Sequence, residues 1–550
     1  MGAVKSYEKI QKSISSSKNP EEYMHVMEGI GNAYLQIACV VNKEENSLKA
    51  VSAFQEVIDK IIDSKYAVKR AAAYRGLGNA YILIAKVRDL EKNMSKALNA
   101  IDEYQKVFLR EKYPYEYASA QELKAFAYYN LAYAKNDRDS LMNACKSCED
   151  ALGVLRVDKH PVEYATVKYI RGLSLTMLYT NTGHPGYLTD ALADYNEALK
   201  VITLKSNPNE YAYIQSYIGL NYQYMTYKDP SKENYQAAIK AYKEALKVLT
   251  LENHPYGYAN VQDCIGAVYI LMPDTFGEAN LENALAALQE ALKIFTADQY
   301  PLNYAEVQSK LGMVYRKKAI GTKSKEDCEK AIKACENALD IFTLEKYPDD
   351  YAKTNIELGR GYLALNDPEN SAQNIKKAIM CYDEALKVFT CEFIPMMYAY
   401  TESSRAEALM GLYKLNMDQK ESLTECIKAS NKALEIFTYE DYTSNYASSQ
   451  VSLGKVYSYL AGIEDKEVNL SKSVEAYKLA LKFYSREGYP KEYAYVKKAL
   501  AEDYLMLSDI TDREKNLGYA LQCFNDALEY YNSKDHPSEY KEIMDRKKVM

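Results

Sequence analysis

Pro208-Asn209-Glu210-Tyr211-Ala212 decides the fold, because the same phrase returns along the whole chain. Its tyrosine position recurs at Tyr23, Arg70, Tyr117, Tyr164, Tyr211, Tyr258, Tyr304, Tyr351, Tyr398, Tyr446, Tyr493 and Tyr540. Every interval is 47 residues except one of 46 and one of 48. So regular a period predicts an array of like units rather than several unrelated domains. Eight residues past each anchor stands a small residue: Gly31, Gly78, Ala125, Gly172, Gly219, Gly266, Gly312, Gly359, Ala406, Gly454 and Ala501. A tyrosine often follows three positions on, as at Tyr34, Tyr81, Tyr222, Tyr269, Tyr315, Tyr362 and Tyr457. Spacings of eight and three share one face of an α-helix, here helix A. Glycine inside a helix lowers its propensity, so a neighbouring helix is expected to come close there.

A second helix, helix B, reads clearly in Ala238-Ile239-Lys240-Ala241-Tyr242-Lys243-Glu244-Ala245-Leu246-Lys247-Val248. Its apolar residues fall on one stripe with Lys and Glu between them. Asn46, Asn93, Asn234, Asn280, Asn374, Asn469 and Asn516 recur just before this helix, and are expected to cap its free N–H groups. The anchor proline is expected to stop helix B and begin the next unit. Each unit is therefore helix A, a tip loop, helix B and a Pro-containing link. Residues 23–539 hold eleven such units. Residues 1–22 match a lone helix B, with Ala3 and Tyr7 in the register of Ala50 and Phe54, and residues 540–550 match a lone helix A. Complementary half-repeats at the two ends are compatible with ordinary caps or with head-to-tail self-association.

Composition narrows the function. The 550 residues include 54 Tyr, 11 Phe and no Trp, as expected if one tyrosine-bearing pattern was copied many times. A net charge of −7 and a pI near 5.6 disfavour nucleic acid as a partner. No stretch is long and apolar enough for a membrane span, and Met1–Ile10 lacks the apolar centre of a signal peptide. A cytoplasmic location with reduced, buried cysteines is the expectation. Met1-Gly2-Ala3-Val4-Lys5-Ser6 fits the short myristoylation pattern, but so short a pattern arises readily by chance.

Gly219-x-x-Tyr222, followed by Ala238-x-x-x-Tyr242-x-x-Ala245-Leu246, resembles the tetratricopeptide repeat. That repeat is usually 34 residues long, so this is a long variant with its surplus in the tip loop and helix B. It is similar to arrays in archaeal proteins and in bacterial proteins bearing a CHAT-type peptidase domain. The resemblance covers essentially the whole chain, so such a domain is not expected within these residues. The early Trp of the family is replaced by Gln121, Gln215, Gln262, Gln308, Asn355 or Gln450. The resemblance implies an all-α, right-handed α-solenoid that binds partners in a groove lined by helix A. Family groove positions carried onto this chain are Arg316 and Lys317 in the seventh unit and Lys353 and Arg360 in the eighth. These resemble carboxylate-binding groups. Tyr213, Tyr400 and Tyr495 share the first groove position.

The Gln/Asn series lies within an otherwise apolar stripe, where an amide must find hydrogen-bond partners. It serves either as a structural bond to the neighbouring unit or as a ladder holding the backbone of an extended peptide. Cys145-x-x-Cys148 supplies only two zinc ligands, and Cys148 stands in the slot of Tyr195 and Tyr242, so buried packing is expected. His160, His254 and His536 alternate with tyrosines before the anchor proline, which suits a flat, polar-tipped packing position. Phosphate-loop, zincin and Ser/His/Asp signatures are absent from the sequence. Neither a catalytic activity nor a cofactor or metal is therefore expected. The leading expectation is a protein-interaction scaffold that takes an extended peptide or partner helix. Self-assembly into a ring or filament is the alternative, and single-stranded RNA binding is weaker still.

Overall fold

The computed structural model describes residues 2–276, 279–365, 369–417 and 419–550. Met1 and the side chain of Ala3, invoked above, lie outside the described residues. Among the described residues the chain is all-α, without strands, and it divides into two compact units, residues 1–278 and 279–550. The first contains α1 (Gly2–Gln11), α2 (Pro20–Ala38), α3 (Lys43–Lys60), α4 (Ala67–Ala85), α5 (Leu90–Val107), α6 (Pro114–Lys135), α7 (Arg138–Leu152), α8 (Pro161–Thr182), α9 (Gly186–Ala198), α10 (Pro208–Met225), α11 (Lys232–Ala245) and α12 (Pro255–Leu271). The second contains α13 (Asn280–Ala291), α14 (Pro301–Thr322), α15 (Lys325–Leu339), α16 (Pro348–Ala364), α17 (Ser371–Leu386), α18 (Pro395–Lys414), α19 (Gln419–Leu434), α20 (Thr443–Leu460), α21 (Lys466–Ala480), α22 (Pro490–Ser508), α23 (Arg513–Leu528) and α24 (Pro537–Lys548). The division falls between α12 and α13, within the sixth repeat. Within each unit consecutive helices pack as hairpins, helix A against helix B and helix B against the next helix A. With Gly-x-x-Tyr on helix A and Ala-x-x-x-Tyr on helix B, the fold is tetratricopeptide-like. No described helix is long and apolar enough to cross a membrane.

The anchor proline opens helix A, as expected, at the first helical position. Its missing N–H is not needed there. The preceding residue is held near φ −140° and ψ 60° at Asn207, His254 and Tyr347, and the Asn207 carbonyl accepts the N–H of Tyr211 at 2.9 Å. That proline does not stop helix B. Helix α9 ends at Ala198, well before Pro208, and the link coils through hydrogen-bonded turns such as Ile202 N–H to Ala198 O, 2.9 Å.

The recurring asparagines act in the opposite sense to the expected caps. Asn46, Asn93, Asn469 and Asn516 lie inside helix B and donate their side-chain N–H to tip-loop carbonyls of Val41, Arg88, Glu464 and Thr511 at 2.7–2.9 Å. Four residues before each amide, Asn42, Asp89, Asp465 and Asp512 turn the chain with φ of 46°, 46°, 44° and 40°. Asn and Asp tolerate this left-handed conformation better than other side chains. Carbonyls turned out of the helical ladder need a donor, and the amide supplies it.

The small residues of helix A receive bulky side chains of helix B. A Cβ at Gly31 would stand 2.5 Å from the ring of Phe54, and one at Gly172 equally close to Tyr195. Gly219 meets Tyr242, Gly359 meets Tyr382 and Gly454 meets Tyr477 at 2.7–2.9 Å. Phe54 also touches the position of Gly76 on the following helix A, at 2.4 Å. One ring thus fills the space between two successive A helices. Tyr7 on α1 meets Gly29 on α2 in the same manner at 2.6 Å, so α1 occupies a helix B position. The core is accordingly a series of clusters along the chain, each shared by adjacent helices. Such an architecture draws its stability from nearest neighbours.

Candidate functional site

The A helices α14, α16 and α18 run through one side of the second unit and border a cavity of about 570 Å³. Met313, Phe342, Ile356 and Met397 form its apolar lining, and Tyr400 adds a half-exposed ring. Lys310, Lys353 and Arg360 bring positive charge, while Glu306, Asp350 and Glu357 bring negative charge. The periodicity explains this convergence. Positions three and four apart on helix A share a face, so Lys353, Glu357 and Arg360 emerge together from α16, and Glu306 and Lys310 from α14.

Three sequence-derived groove residues meet here: Lys353, Arg360 and Tyr400. Arg316 does not line the cavity. Its Nε lies 2.9 Å from Glu357 Oε2, and Arg360 Nη1 lies 2.8 Å from Glu357 Oε1. The Arg316 and Glu357 side chains are only 15 % and 11 % exposed. Two guanidiniums therefore share one internal carboxylate, and the four cations are not an open anion clamp. Lys317, at the adjoining position, is exposed. Glu357 was missed in the sequence because acidic residues on helices are usually solvated. Its spacing of three residues from Arg360 was the available signal.

None of the helix A amides lines this cavity. Gln121, Gln308, Asn355 and Gln450 are buried, whereas Gln215 and Gln262 are half-buried. Asn355 donates to the Tyr351 carbonyl at 3.0 Å, and Gln215 lies against the Tyr211 hydroxyl. Both bonds run to the anchor tyrosine of the same unit. That tyrosine has a second recurring partner. The hydroxyls of Tyr23, Tyr211 and Tyr351 donate to Glu56, Glu244 and Glu384 on helix B, at 2.5, 3.1 and 2.9 Å. Lys60, Lys247 and Lys387 in turn hold those carboxylates. Hydrogen bonding to lysine and tyrosine holds the Glu244 and Glu384 carboxyls below the usual range. The anchor thus ties the two helices of a hairpin, a role that fits its recurrence without any ligand.

Tyr213 and Tyr495 are exposed on α10 and α22, and Tyr495 borders a separate cleft. Cys145 and Cys148 are buried, and burial pushes the Cys145 thiol up to about 12. A neutral thiol is a poor metal ligand or nucleophile. His160 stacks on Tyr115 with centroids 5.1 Å apart, and His536 on Tyr530 at 4.8 Å. His254 Nε2 is 3.1 Å from Asn209 Oδ1. All three imidazoles pack at the link between units.

No protein-family model matches the chain, and no curated protein does. Among solved structures, a signal-transduction ATPase with a tetratricopeptide repeat sensor from Pyrococcus horikoshii is similar at 17 % identity and a TM-score of 0.46, covering 96 % of this chain and 74 % of that one. The apo quorum sensor NprR from B. thuringiensis is similar at 15 % identity and a TM-score of 0.42, covering 81 % and 97 %. The human IFIT1 dimer with PPP-AAAA is similar at 15 % identity and a TM-score of 0.39, covering 87 % and 99 %.

Proposed function

We propose that this protein is a non-catalytic interaction scaffold whose α14–α16–α18 groove binds an extended peptide segment of a protein partner. The observation that carries this reading is the juxtaposition of Met313, Phe342, Ile356 and Met397 with Lys353, Arg360 and Tyr400 around one cavity of about 570 Å³. An apolar floor with a few polar groups at its edge is the usual make-up of a binding pocket. The two signs of charge at the rim suit a peptide with an apolar anchor residue and flanking charges. The partly buried Arg316–Glu357 pair keeps the floor in place, and Lys353 and Arg360 read the ligand.

Peptide display against the purified full chain tests this. Selected peptides are expected to share an apolar anchor, and Lys353→Glu, which leaves the Glu357 cluster intact, should abolish their capture at an unchanged melting temperature. Full retention of capture in that variant, or display that enriches no peptide, defeats the reading.

A further inference from the structure

In α19 the ring that the two adjacent hairpins use to close the space between successive A helices is missing. Helix B of each unit places a side chain against the small residue of helix A: Tyr382 in α17, Tyr477 in α21 and Phe524 in α23. In α19 that position is Ser430, fixed by the shared endings Ala385-Leu386, Ala433-Leu434 and Ala480-Leu481. A matching contact confirms the register. Cys426 Sγ donates to the Ala406 carbonyl at 3.1 Å, and Ser473 Oγ lies 2.7 Å from the Gly454 carbonyl at the same position one unit on.

The space that follows from this difference is large. Between α18 and α20, beside Ser430, lies a cavity of about 700 Å³. The corresponding cleft between α20 and α22, which Tyr477 itself lines, measures about 160 Å³. Ser430 and Cys426 sit at the bottom of the larger cavity with Met410, Phe437 and Val456. Part of its polar lining is spent on internal bonds, Ser430 with Cys426 and Ser448 with Tyr484, and part is not. Ser449 is only 8 % exposed as a residue, and it borders the cavity without an internal side-chain hydrogen bond among the described residues, so its hydroxyl is available there. Lys414 and Lys455 also border the cavity against a single carboxylate, Glu407, and neither lysine forms an ion pair among the described residues.

We propose that this cavity is a binding site for a small aromatic anion: a planar ring of about phenol size carrying a phosphate or carboxylate. The ring takes the place that Tyr382 and Tyr477 fill in the adjacent units, the Ser449 hydroxyl bonds the ligand within the cavity, and Lys414 and Lys455 hold its charge. The volume lies within the range of small-molecule sites, and hydrogen bonds between charged partners supply orientation as well as affinity. The site shares the Tyr400 ring with the α14–α16–α18 groove but requires no peptide ligand there.

Calorimetric titration of the full chain with phenyl phosphate and 4-hydroxybenzoate tests the assignment, with cyclohexyl phosphate as a non-planar control. Saturable binding of the aryl anions is expected, with cyclohexyl phosphate weaker by roughly tenfold, a difference of about one pocket contact. Ser430→Tyr restores the ring of the neighbouring units and should abolish binding while holding or raising the melting temperature. Ala501 opposite Phe524 indicates that an alanine such as Ala406 can face a ring. Lys455→Glu at the rim should weaken binding by roughly tenfold or more, and it carries the test if Ser430→Tyr fails to fold. Absence of saturable aryl binding, equal affinity for cyclohexyl phosphate, or unchanged affinity in either folded variant overturns the proposal.

Discussion

A Cβ on Gly219 would stand 2.7 Å from the ring of Tyr242, whose hydroxyl is bonded at 3.0 Å to Gln223 Oε1 on the same A helix. Ring and glycine are thus held in register by a contact at each end of the side chain. Gly219→Ala gains roughly 1 kcal/mol of helix propensity but overpacks a closed contact, which costs about 1–3 kcal/mol. A net loss in urea melts is expected. In a Tyr242→Leu background the same substitution should become neutral or favourable. Additive effects in the double-mutant cycle would show that the two side chains are not in the conflict described.

Glu357 joins Arg316 to Arg360, so its charge sets both the stability and the potential of the groove. Removing one member of a partly buried charge cluster leaves its partners uncompensated. Glu357→Gln should lower stability by about 1–3 kcal/mol and strengthen capture of acidic peptides, because two guanidiniums are released. Chemical melts and anisotropy titrations measure the two effects. A variant with weaker acidic-peptide binding and unchanged stability would contradict this account.

Asp503 is almost fully buried on α22 and accepts hydroxyl hydrogen bonds from Ser458 at 2.6 Å and Ser473 at 2.5 Å. Burial pushes its carboxyl up to about 6, and the two serines only partly oppose that rise. A folded-state value above the unfolded one means that the stabilising effect of protonation is complete below about pH 4 and is lost as pH rises through about 6. Asp503→Asn should therefore raise stability near pH 7 by on the order of 2 kcal/mol, with the advantage vanishing near pH 4. Melting curves across that range decide the matter, and an advantage that grows toward low pH would refute the sign.

At the tip of the second hairpin Asp89 has φ 46°, and Asn93 donates to the Arg88 carbonyl at 2.9 Å. Asp89→Gly should leave stability nearly unchanged, since glycine adopts this conformation freely while the unfolded chain gains entropy. Asp89→Val should cost about 1–2 kcal/mol, and Asn93→Ala about 1 kcal/mol through the orphaned carbonyl. Hydrogen exchange should place the loss in α4 and α5. Equal effects of valine and glycine at position 89 would remove backbone conformation as the cause.

The period, the two helices of each unit and the helix A glycines were legible in the sequence because they depend on local spacing copied along the chain. A residue eight past an anchor tyrosine shares its helical face in every unit, and only a small residue there permits a ring to approach. The roles of polar side chains were not legible, because they depend on which partner another helix brings. Arg316 and Arg360 read as free groove cations until α16 set Glu357 between them. Asn46 and Asn93 read as caps, yet an amide both donates and accepts, and the turn geometry of the tip selected donation. Ser430 was an unremarked serine in one helix B. The repeat register puts it where the adjacent units place a tyrosine, but only the packing of α18 against α20 shows that the space was left open.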